Sequence, residues 1–498
     1  MVHPDGMAAF TDTSMNKARN YDDDKPHEEC GVFGIFGHSD AAELVALGLH
    51  ALQHRGQEAA GIVSFDGRKF NLERRLGLVG DNFSHEAVMS RLRGHAAVGH
   101  NRYATTGDTI LRNVQPFFAD LSGGGLAVAH NGNLTNATAL RRRLVANGAI
   151  FQSTSDTEVL VHLVATSRET RLVPRLVDAL RQLEGAYSLV TLTNKKMIGV
   201  RDPLGVRPLV LGEFDGCHVL ASETCALDII GAKFIRDVKP GEMVVITEEG
   251  VESLFPFPPA QSRFCVFEYI YFSRPDSIAE GKSVYESRRR IGEELAVEAP
   301  VEADLVAPIP DSGTPAAIGY ASTVGIPFEL GIIRNHYVGR TFIEPAQRIR
   351  QLGVKLKHNA NRGSIAGKRV VLVDDSIVRG TTSMKIVQMM RDAGAREVHM
   401  RIACPPTTHS CFYGVDTPER DKLLAFERTV EQMRAAIGAD SLAFISMDGL
   451  YRAMGYAARD RASPQYCDAC FTGEYPTRLT DQSELPQERQ LSLLAEGM

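Results

Sequence analysis

No stretch of the 498-residue chain approaches the run of about 18 apolar residues that a membrane-spanning helix requires, and the first residues lack the continuous apolar region of a secretory signal. The chain is therefore expected to be soluble and cytoplasmic, with no membrane partner. Neither sign of charge dominates. The 55 Lys and Arg residues face 61 Asp and Glu, a formal net charge of −6, and no basic stripe interleaved with aromatics offers nucleic acid a surface. Regular cysteine spacing is missing too. Eight cysteines scattered over this length do not describe a secreted disulfide scaffold, which leaves metal binding or catalysis to consider. His54, His100 and His130 show no metal-ligand spacing and are read as structural. Length alone sets a prior of about three domains, with ample material for a core.

What is present is most concentrated after Val370-Val371-Leu372-Val373, four apolar and mostly β-branched residues that read as a buried strand. An acidic pair, Asp374-Asp375, follows, then Ser376-Ile377-Val378-Arg379-Gly380-Thr381-Thr382 and a helical stretch from Ser383 to Met390. A loop at the carboxyl end of such a strand, opening a helix with unpaired N–H groups, suits a phosphate. No lysine follows Gly380, so this is not the nucleotide-hydrolysing P-loop pattern. Two carboxylates would repel a phosphate unless they hold something else, and vicinal sugar hydroxyls or a ligand-borne Mg²⁺ would suit them. A helix-capping loop with a solvated acidic pair is the plainer alternative. A second unit of this kind runs from Leu305 through Pro310 into Asp311-Ser312-Gly313-Thr314-Pro315 and a helix over Ala316 to Ala321, although such a loop alone is commonly just a turn.

The strand, Asp374-Asp375 and Ser376 to Thr382 resemble the phosphoribosyl diphosphate (PRPP) motif of type I phosphoribosyltransferases. That resemblance implies that the acidic pair holds ribose hydroxyls, while Ser376, Arg379, Gly380, Thr381 and Thr382 wrap the 5′-phosphate.

The first half has a different texture. Residues 1 to 29 are polar and acidic and carry no periodicity, which reads as disorder. Cys30 to Gly37 is a glycine-punctuated apolar strand, followed by helical periodicity over Ala41 to Gln53 and Ser155 to Arg168; Ser188 to Leu192 and Met243 to Ile246 read as strands. Singly, Cys30 reads as a small core residue, Arg102 as a solvated charge and Asn131-Gly132 as a hairpin turn. Together, the patches His54 to Gly61, Gly99 to Gly107, Ala129 to Leu134, Ser155 to Glu158 and Arg201 to Leu209 resemble the class II glutamine amidotransferase domain of the N-terminal nucleophile hydrolases, from Cys30 to about residue 260.

The resemblance implies that Cys30 is the nucleophile. A thiol with a pKa of about 8.5 needs a base, and an α-amino group with a pKa of roughly 7.7 to 8.0 is well matched to serve. Cys30 has that amine only if residues 1 to 29 are a propeptide that is removed. The same resemblance places the oxyanion donors at the Asn131 amide and the Gly132 backbone, the guanidinium for glutamine's carboxylate at Arg102, and the carboxylate for its ammonium at Asp156.

After a connector at Phe255 to Pro259, strands alternate with helices. Arg334 to Ile343, with the basic stretch Gln347 to Arg362, looks like the mobile catalytic loop of the glutamine PRPP amidotransferases, in which Arg334, Arg340, Lys355 and Lys357 answer ligand charge and Gly339 and Gly353 absorb backbone change. In those enzymes the loop equivalent to Asp311, Ser312, Gly313 and Thr314 meets pyrophosphate, and Mg²⁺ is assigned to the positions of Ser312, Asp374 and Asp375. Cys467-Asp468-Ala469-Cys470 is a CxxC whose spacing alone suits zinc as well as iron–sulfur. Cys265 and Cys411 fall where the cluster-bearing branch places its other ligands, so the resemblance implies a [4Fe–4S] cluster. Cys217, Cys225 and Cys404 are expected in the core, and the polar tail after about Thr480 reads as disordered.

From Cys30 to about Pro476 the chain thus resembles the amidophosphoribosyltransferases, in the branch that pairs a propeptide with an iron–sulfur cluster. The expected fold is mixed α/β and α+β: a propeptide (1–29), a nucleophile-hydrolase sandwich (30–260), a type I phosphoribosyltransferase domain with a parallel sheet and the cluster ligands (261–480), and a tail (481–498). The implied reaction turns glutamine, PRPP and water into 5-phosphoribosylamine, glutamate and pyrophosphate, with purine nucleotides as feedback inhibitors and a homotetramer as the assembly. Glucosamine-phosphate synthase and asparagine synthetase share the first half's chemistry but would not need Asp374 to Thr382. A PRPP-sensing regulator without turnover is the alternative from another class.

Overall fold

The computed structural model describes residues 30–103, 110–335 and 358–483. The expected propeptide, the Ala104 to Gly107 end of one sequence patch, Arg340 with Gly339, Gly353, Lys355 and Lys357, and the tail from residue 484 lie outside them.

Two antiparallel sheets face each other in the first half. One runs, in spatial order, Lys233–Asp237, Val210–Phe214, Cys217–Ala221, Gly31–Phe36, Ala96–Arg102, Ala59–Phe65 and Phe70–Leu76. The other runs Gly250–Leu254, Met243–Thr247, Met197–Arg201, Gly185–Thr193, Gly124–Leu134 and Phe117–Leu121. Val32, Phe36, Val63 and Val98 of the first pack on Ala129, Val190, Leu192 and Val244 of the second. The approach is close enough that a Cβ on Gly34 would stand 2.7 Å from Met197 Sδ, so this position takes no side chain without displacing the opposite sheet.

Helices cover both outer faces. Ala41–Ala51 presents Ala41, Ala42, Val45, Ala46 and Leu49 to the first sheet, and Ala137–Ala146, Thr157–Thr166 and Leu172–Leu180 cover the second. Central strands therefore have an apolar neighbour on each face. This explains why all six residues of Gly31–Phe36 are buried and why it reads as a continuous apolar run rather than an alternation.

The second half is built on a parallel sheet ordered Leu305–Pro308, Arg369–Asp374, Glu397–Ile402 and Ser441–Phe444. Helices Val284–Glu298, Thr314–Val324, Thr381–Asp392 and Val430–Ile437 pack with it, and Val370 to Val373 are fully buried. Its core also takes in Ala186 and Val206 from the sandwich, so the two halves share one apolar cluster. A two-residue parallel pairing of Phe264–Cys265 with Tyr466–Cys467 brings Cys265 opposite Cys467 from 202 residues along the chain.

Two local readings need correction. Asn131-Gly132 is not a turn: it lies inside the strand Gly124–Leu134, paired with Ser188 and Tyr187, because both flanks continue the ladder. The tail is ordered further than its polarity suggests. Thr480–Ser483 forms a helical turn whose Asp481 carboxylate accepts the Thr138 and Ala139 N–H groups at 2.8 and 3.0 Å, at the start of helix Ala137–Ala146. Cys225 and Cys404 are buried as expected, whereas Cys217 is only half-buried at a strand start.

Candidate functional site

Cys30 precedes the strand Gly31–Phe36, which pairs with Ala96–Arg102 in a register that sets Gly31 against Asn101. The nucleophile candidate therefore lies alongside Arg102 and Tyr103. Cys30 is buried, and its Sγ donates to the Tyr103 carbonyl at 3.6 Å. Arg102 is buried as well, and its carbonyl accepts the Glu58 N–H at 3.2 Å. Gly56 sits so close behind it that an added Cβ would lie 2.7 Å from the Arg102 carbonyl carbon.

Asn131 comes from the opposite sheet. It is fully buried, and neither its Oδ1 nor its Nδ2 has a hydrogen-bond partner among the described residues. A buried amide without partners costs on the order of 1–3 kcal/mol, so such a side chain points to a ligand that completes it. Gly132 has φ 140°, and a Cβ there would stand 2.1 Å from the Ala186 carbonyl oxygen; only glycine fits. Asp156 accepts the Leu134 N–H at 3.0 Å, which ties it to the end of the same strand.

His100 and His130 are buried. His100 Nε2 lies 3.0 Å from the His130 carbonyl and joins the two sheets beside Asn131. Burial pushes His100 down to about 3, with Arg102 nearby acting in the same direction. His130 is also lowered by burial, and its Nδ1 meets Thr157 Oγ1 at 3.0 Å.

In the second half both candidate loops stand at the carboxyl ends of neighbouring strands, since Leu305–Pro308 pairs directly with Val370 to Val373. Asp374 and Asp375 are buried. Asp375 accepts from Ser312 Oγ across the two loops and from Ser376 Oγ at 2.6 Å, while its N–H reaches Asp374 Oδ1 at 3.0 Å. Ser312 and the acidic pair are thus brought together across the two loops. Gly313 cannot carry a side chain, because its Cβ would lie 2.4 Å from the Val373 carbonyl oxygen. Gly380, at φ 82°, opens helix Thr381–Asp392, and Thr381 Oγ1 at its first position is buried without a partner among the described residues. Arg379 and Thr382 are half-buried beside it. Asp311 is exposed and pairs with Arg334, the one residue of the expected cationic set that is described.

Cys265, Cys411, Cys467 and Cys470 line a single apolar cavity together with Phe267, Val415 and Tyr475. The Tyr413 N–H donates to Cys411 Sγ at 3.3 Å. Burial pushes Cys467 up to about 12 and Cys470 well above the usual thiol range, with the other three thiols adding to the effect on Cys470. Four thiolates at this spot require a cationic group to offset their burial. Among the described residues, no group of three or more His, Cys, Asp or Glu is arranged to hold a metal ion.

Residues 100–228 match the glutamine amidotransferase domain family and residues 276–413 the phosphoribosyl transferase domain family. An amidophosphoribosyltransferase of Rhizobium etli is 59% identical over 97% of this chain and 99% of its own. The chain belongs to the amidophosphoribosyltransferase family. Another amidophosphoribosyltransferase, from Bacillus subtilis, is 49% identical over 94% of this chain and 98% of its own. A solved structure of the glutamine PRPP amidotransferase from B. subtilis, complexed with ADP and GMP, superposes with a TM-score of 0.86 at 49% identity, over 90% of this chain and 98% of that one. The chain is thus a glutamine-dependent pentosyltransferase of this family, with an amidotransferase sandwich and a phosphoribosyltransferase sheet.

One group within this amidophosphoribosyltransferase architecture escaped the sequence reading. Glu268 is fully buried and accepts from Arg55 at 2.5 Å, Arg207 at 3.2 Å and Ser273 Oγ at 2.6 Å. Burial alone would raise its carboxyl, but Arg55 and Arg207 hold it below the ordinary value. The available signal was a lone carboxylate in the aromatic stretch Phe264 to Phe272, where a buried charge demands partners.

Proposed function

We propose that the chain catalyses the first committed step of purine synthesis by releasing ammonia from glutamine at Cys30 and using it to displace pyrophosphate from PRPP at the Asp374 to Thr382 loop. The observation that carries this reading is Asn131, a fully buried amide with no partner among the described residues, next to a position that only glycine fits, on the sheet facing that of Cys30. Ammonia-releasing chemistry needs such donors for its oxyanion.

In the first half-reaction the Cys30 α-amine, free once residues 1–29 are removed, takes the thiol proton, and Sγ attacks the glutamine carboxamide. Asn131 Nδ2 and the Gly132 N–H receive the oxyanion. Arg102 holds the glutamine carboxylate and Asp156 its ammonium. Collapse expels ammonia and leaves a thioester, which water hydrolyses to glutamate. In the second, Asp374 and Asp375 hold the ribose hydroxyls, Ser376, Arg379, Gly380, Thr381 and Thr382 hold the 5′-phosphate, and Asp311, Ser312, Gly313 and Thr314 face the pyrophosphate, with Arg340 as a further PRPP-binding residue. The shared position of Ser312 and the acidic pair fits a bound Mg²⁺, which would supply positive charge to the leaving pyrophosphate.

The four thiols lining one apolar cavity support a [4Fe–4S] cluster as the group they would hold. It is structural here, because neither half-reaction transfers electrons. Purine nucleotides as regulators, a homotetrameric assembly and a cytoplasmic location complete the reading. The B. subtilis structure with ADP and GMP supports the first; among the described residues no helix is long and apolar enough to cross a membrane, which is consistent with the last.

The test is to incubate purified protein beginning at Cys30 with glutamine, PRPP and Mg²⁺ and to measure glutamate and pyrophosphate. The account expects equal amounts of both. Neither product would overturn it in favour of a PRPP-binding regulator, and pyrophosphate without glutamate would overturn glutamine as the nitrogen source.

A further inference from the structure

The two halves meet at a cluster of charges that no step above uses. Glu268 belongs to the phosphoribosyltransferase half, on the turn Glu268–Phe272, while both guanidiniums that hold it, Arg55 and Arg207, come from the sandwich. All three side chains are completely excluded from solvent. Burying ionised groups at such a contact is costly unless they are paired, and it makes the position of each depend on the others.

Each arginine leads back to the glutamine site. The Arg55 stem packs behind the nucleophile's neighbour, 3.5 Å from where a Gly31 Cβ would lie. Its successor Gly56 presses on the Arg102 backbone, with 2.7 Å to the carbonyl carbon for an added Cβ. Arg207 donates from Nε to the Tyr413 carbonyl at 2.9 Å, and the following Gly414 packs on Gly132, with 3.1 Å from an added Cβ to the Gly132 carbonyl carbon. One carboxylate thus stands behind the nucleophile, the carboxylate-binding arginine and the oxyanion glycine. Glu268 is bonded to both guanidiniums, whereas Glu223 accepts from Arg55, His54, the Arg274 N–H and Ser277 Oγ.

We propose that Glu268 is a positioning residue for the glutamine site, through which the phosphoribosyltransferase half fixes Arg55 and Arg207 and with them Gly31, Arg102 and Gly132. This rests on the functional reading above. Glu268 touches no substrate; it sets where the residues that do so stand. The device makes glutamine hydrolysis depend on the docking of the two halves, and it leaves the PRPP loops untouched.

The experiment compares Glu268→Gln, Glu268→Asp and Ser273→Ala in the full processed protein, measuring glutamine hydrolysis and, separately, PRPP amination with free ammonia. Glu268→Gln, which keeps the shape and removes the charge, is expected to lower kcat/KM for glutamine by about tenfold or more, while ammonia-dependent turnover changes by less than about threefold. Glu268→Asp restores part of the loss, and Ser273→Ala, which removes a single 2.6 Å bond to the same carboxylate, raises the glutamine KM in the same direction by less. Equal losses in both reactions, or no loss in either, would overturn the proposal. Should Glu268→Gln fail to fold, an unchanged glutamine KM in Ser273→Ala would overturn it by leaving Glu268 a purely structural role. Absence of ammonia-dependent activity in the unsubstituted protein would overturn the functional reading, and the proposal with it.

Discussion

Cys30 and Asn131 come from opposite sheets of the sandwich, and the His100 ring, bonded to the His130 carbonyl, joins the two sheets between them. Replacing Cys30 with Ala is expected to abolish glutamine-dependent turnover and to spare turnover with free ammonia, read by following pyrophosphate with each nitrogen source. Asn131→Ala removes one oxyanion donor and is expected to cost on the order of 10²–10³ in the glutamine-dependent kcat, with far less effect on KM. The burial of His100 gives a pH signature. Its folded value of about 3 lies below the ordinary 6.5, so the folded state binds fewer protons than the unfolded chain. Its contribution is fully present above pH 6.5 and is lost as pH falls toward 3, at about 1.4 kcal/mol per pH unit. Melting temperatures between pH 7.5 and 5 should therefore fall, and less steeply in His100→Gln. At this scale the sequence was legible in position: Cys30 stands buried beside Arg102, and Asp374-Asp375 meet Ser312 at adjoining loops. It was illegible at Glu268, because a buried ion pair between residues 213 positions apart leaves no local pattern.

Elements carried their own signatures where burial is periodic. Val370 to Val373 and Met243 to Ile246 are strands as their β-branched runs indicate, and helix Thr381–Asp392 begins earlier than its apolar stripe because Gly380 supplies the left-handed turn that opens it. The signatures failed where a partner arrives from afar. Asn131-Gly132 has turn composition, yet the ladder with Gly185–Thr193 continues through it and holds it extended. Thr480–Ser483 has no apolar face and is held by hydrogen bonds alone: Thr135 Oγ1 donates to the Arg478 carbonyl at 2.7 Å, and Asp481 caps helix Ala137–Ala146. Asn136, at that helix's own N-cap position, makes no side-chain cap. Asp481→Ala is accordingly expected to cost about 1 kcal/mol, the usual worth of a helix cap. A denaturation midpoint should report it, and the glutamine-dependent rate should fall in step, because that helix follows directly on the strand of Asn131.

For the whole molecule, the thiol cavity and the shared core make the two halves one folding unit. The cavity joins Cys265 and Cys411 to Cys467 and Cys470, so the proposed cluster would tie together segments 202 residues apart in the chain. Cys467→Ser is expected to fold poorly and to lose iron, sulfide and brown colour together, because the binding free energy of such a centre is part of folding free energy. Stoichiometric zinc in colourless, active protein would refute the cluster. The central claim is that one chain makes ammonia at Cys30 only to spend it at the PRPP loops, with Gly414 packed on Gly132 as the structural seam between them. The most direct measurement is the rate of glutamate release by the processed protein with and without saturating PRPP and Mg²⁺. The account predicts a marked rise on adding PRPP, with one pyrophosphate formed for each glutamate. Equal glutamate release in both conditions, with no pyrophosphate, would contradict it.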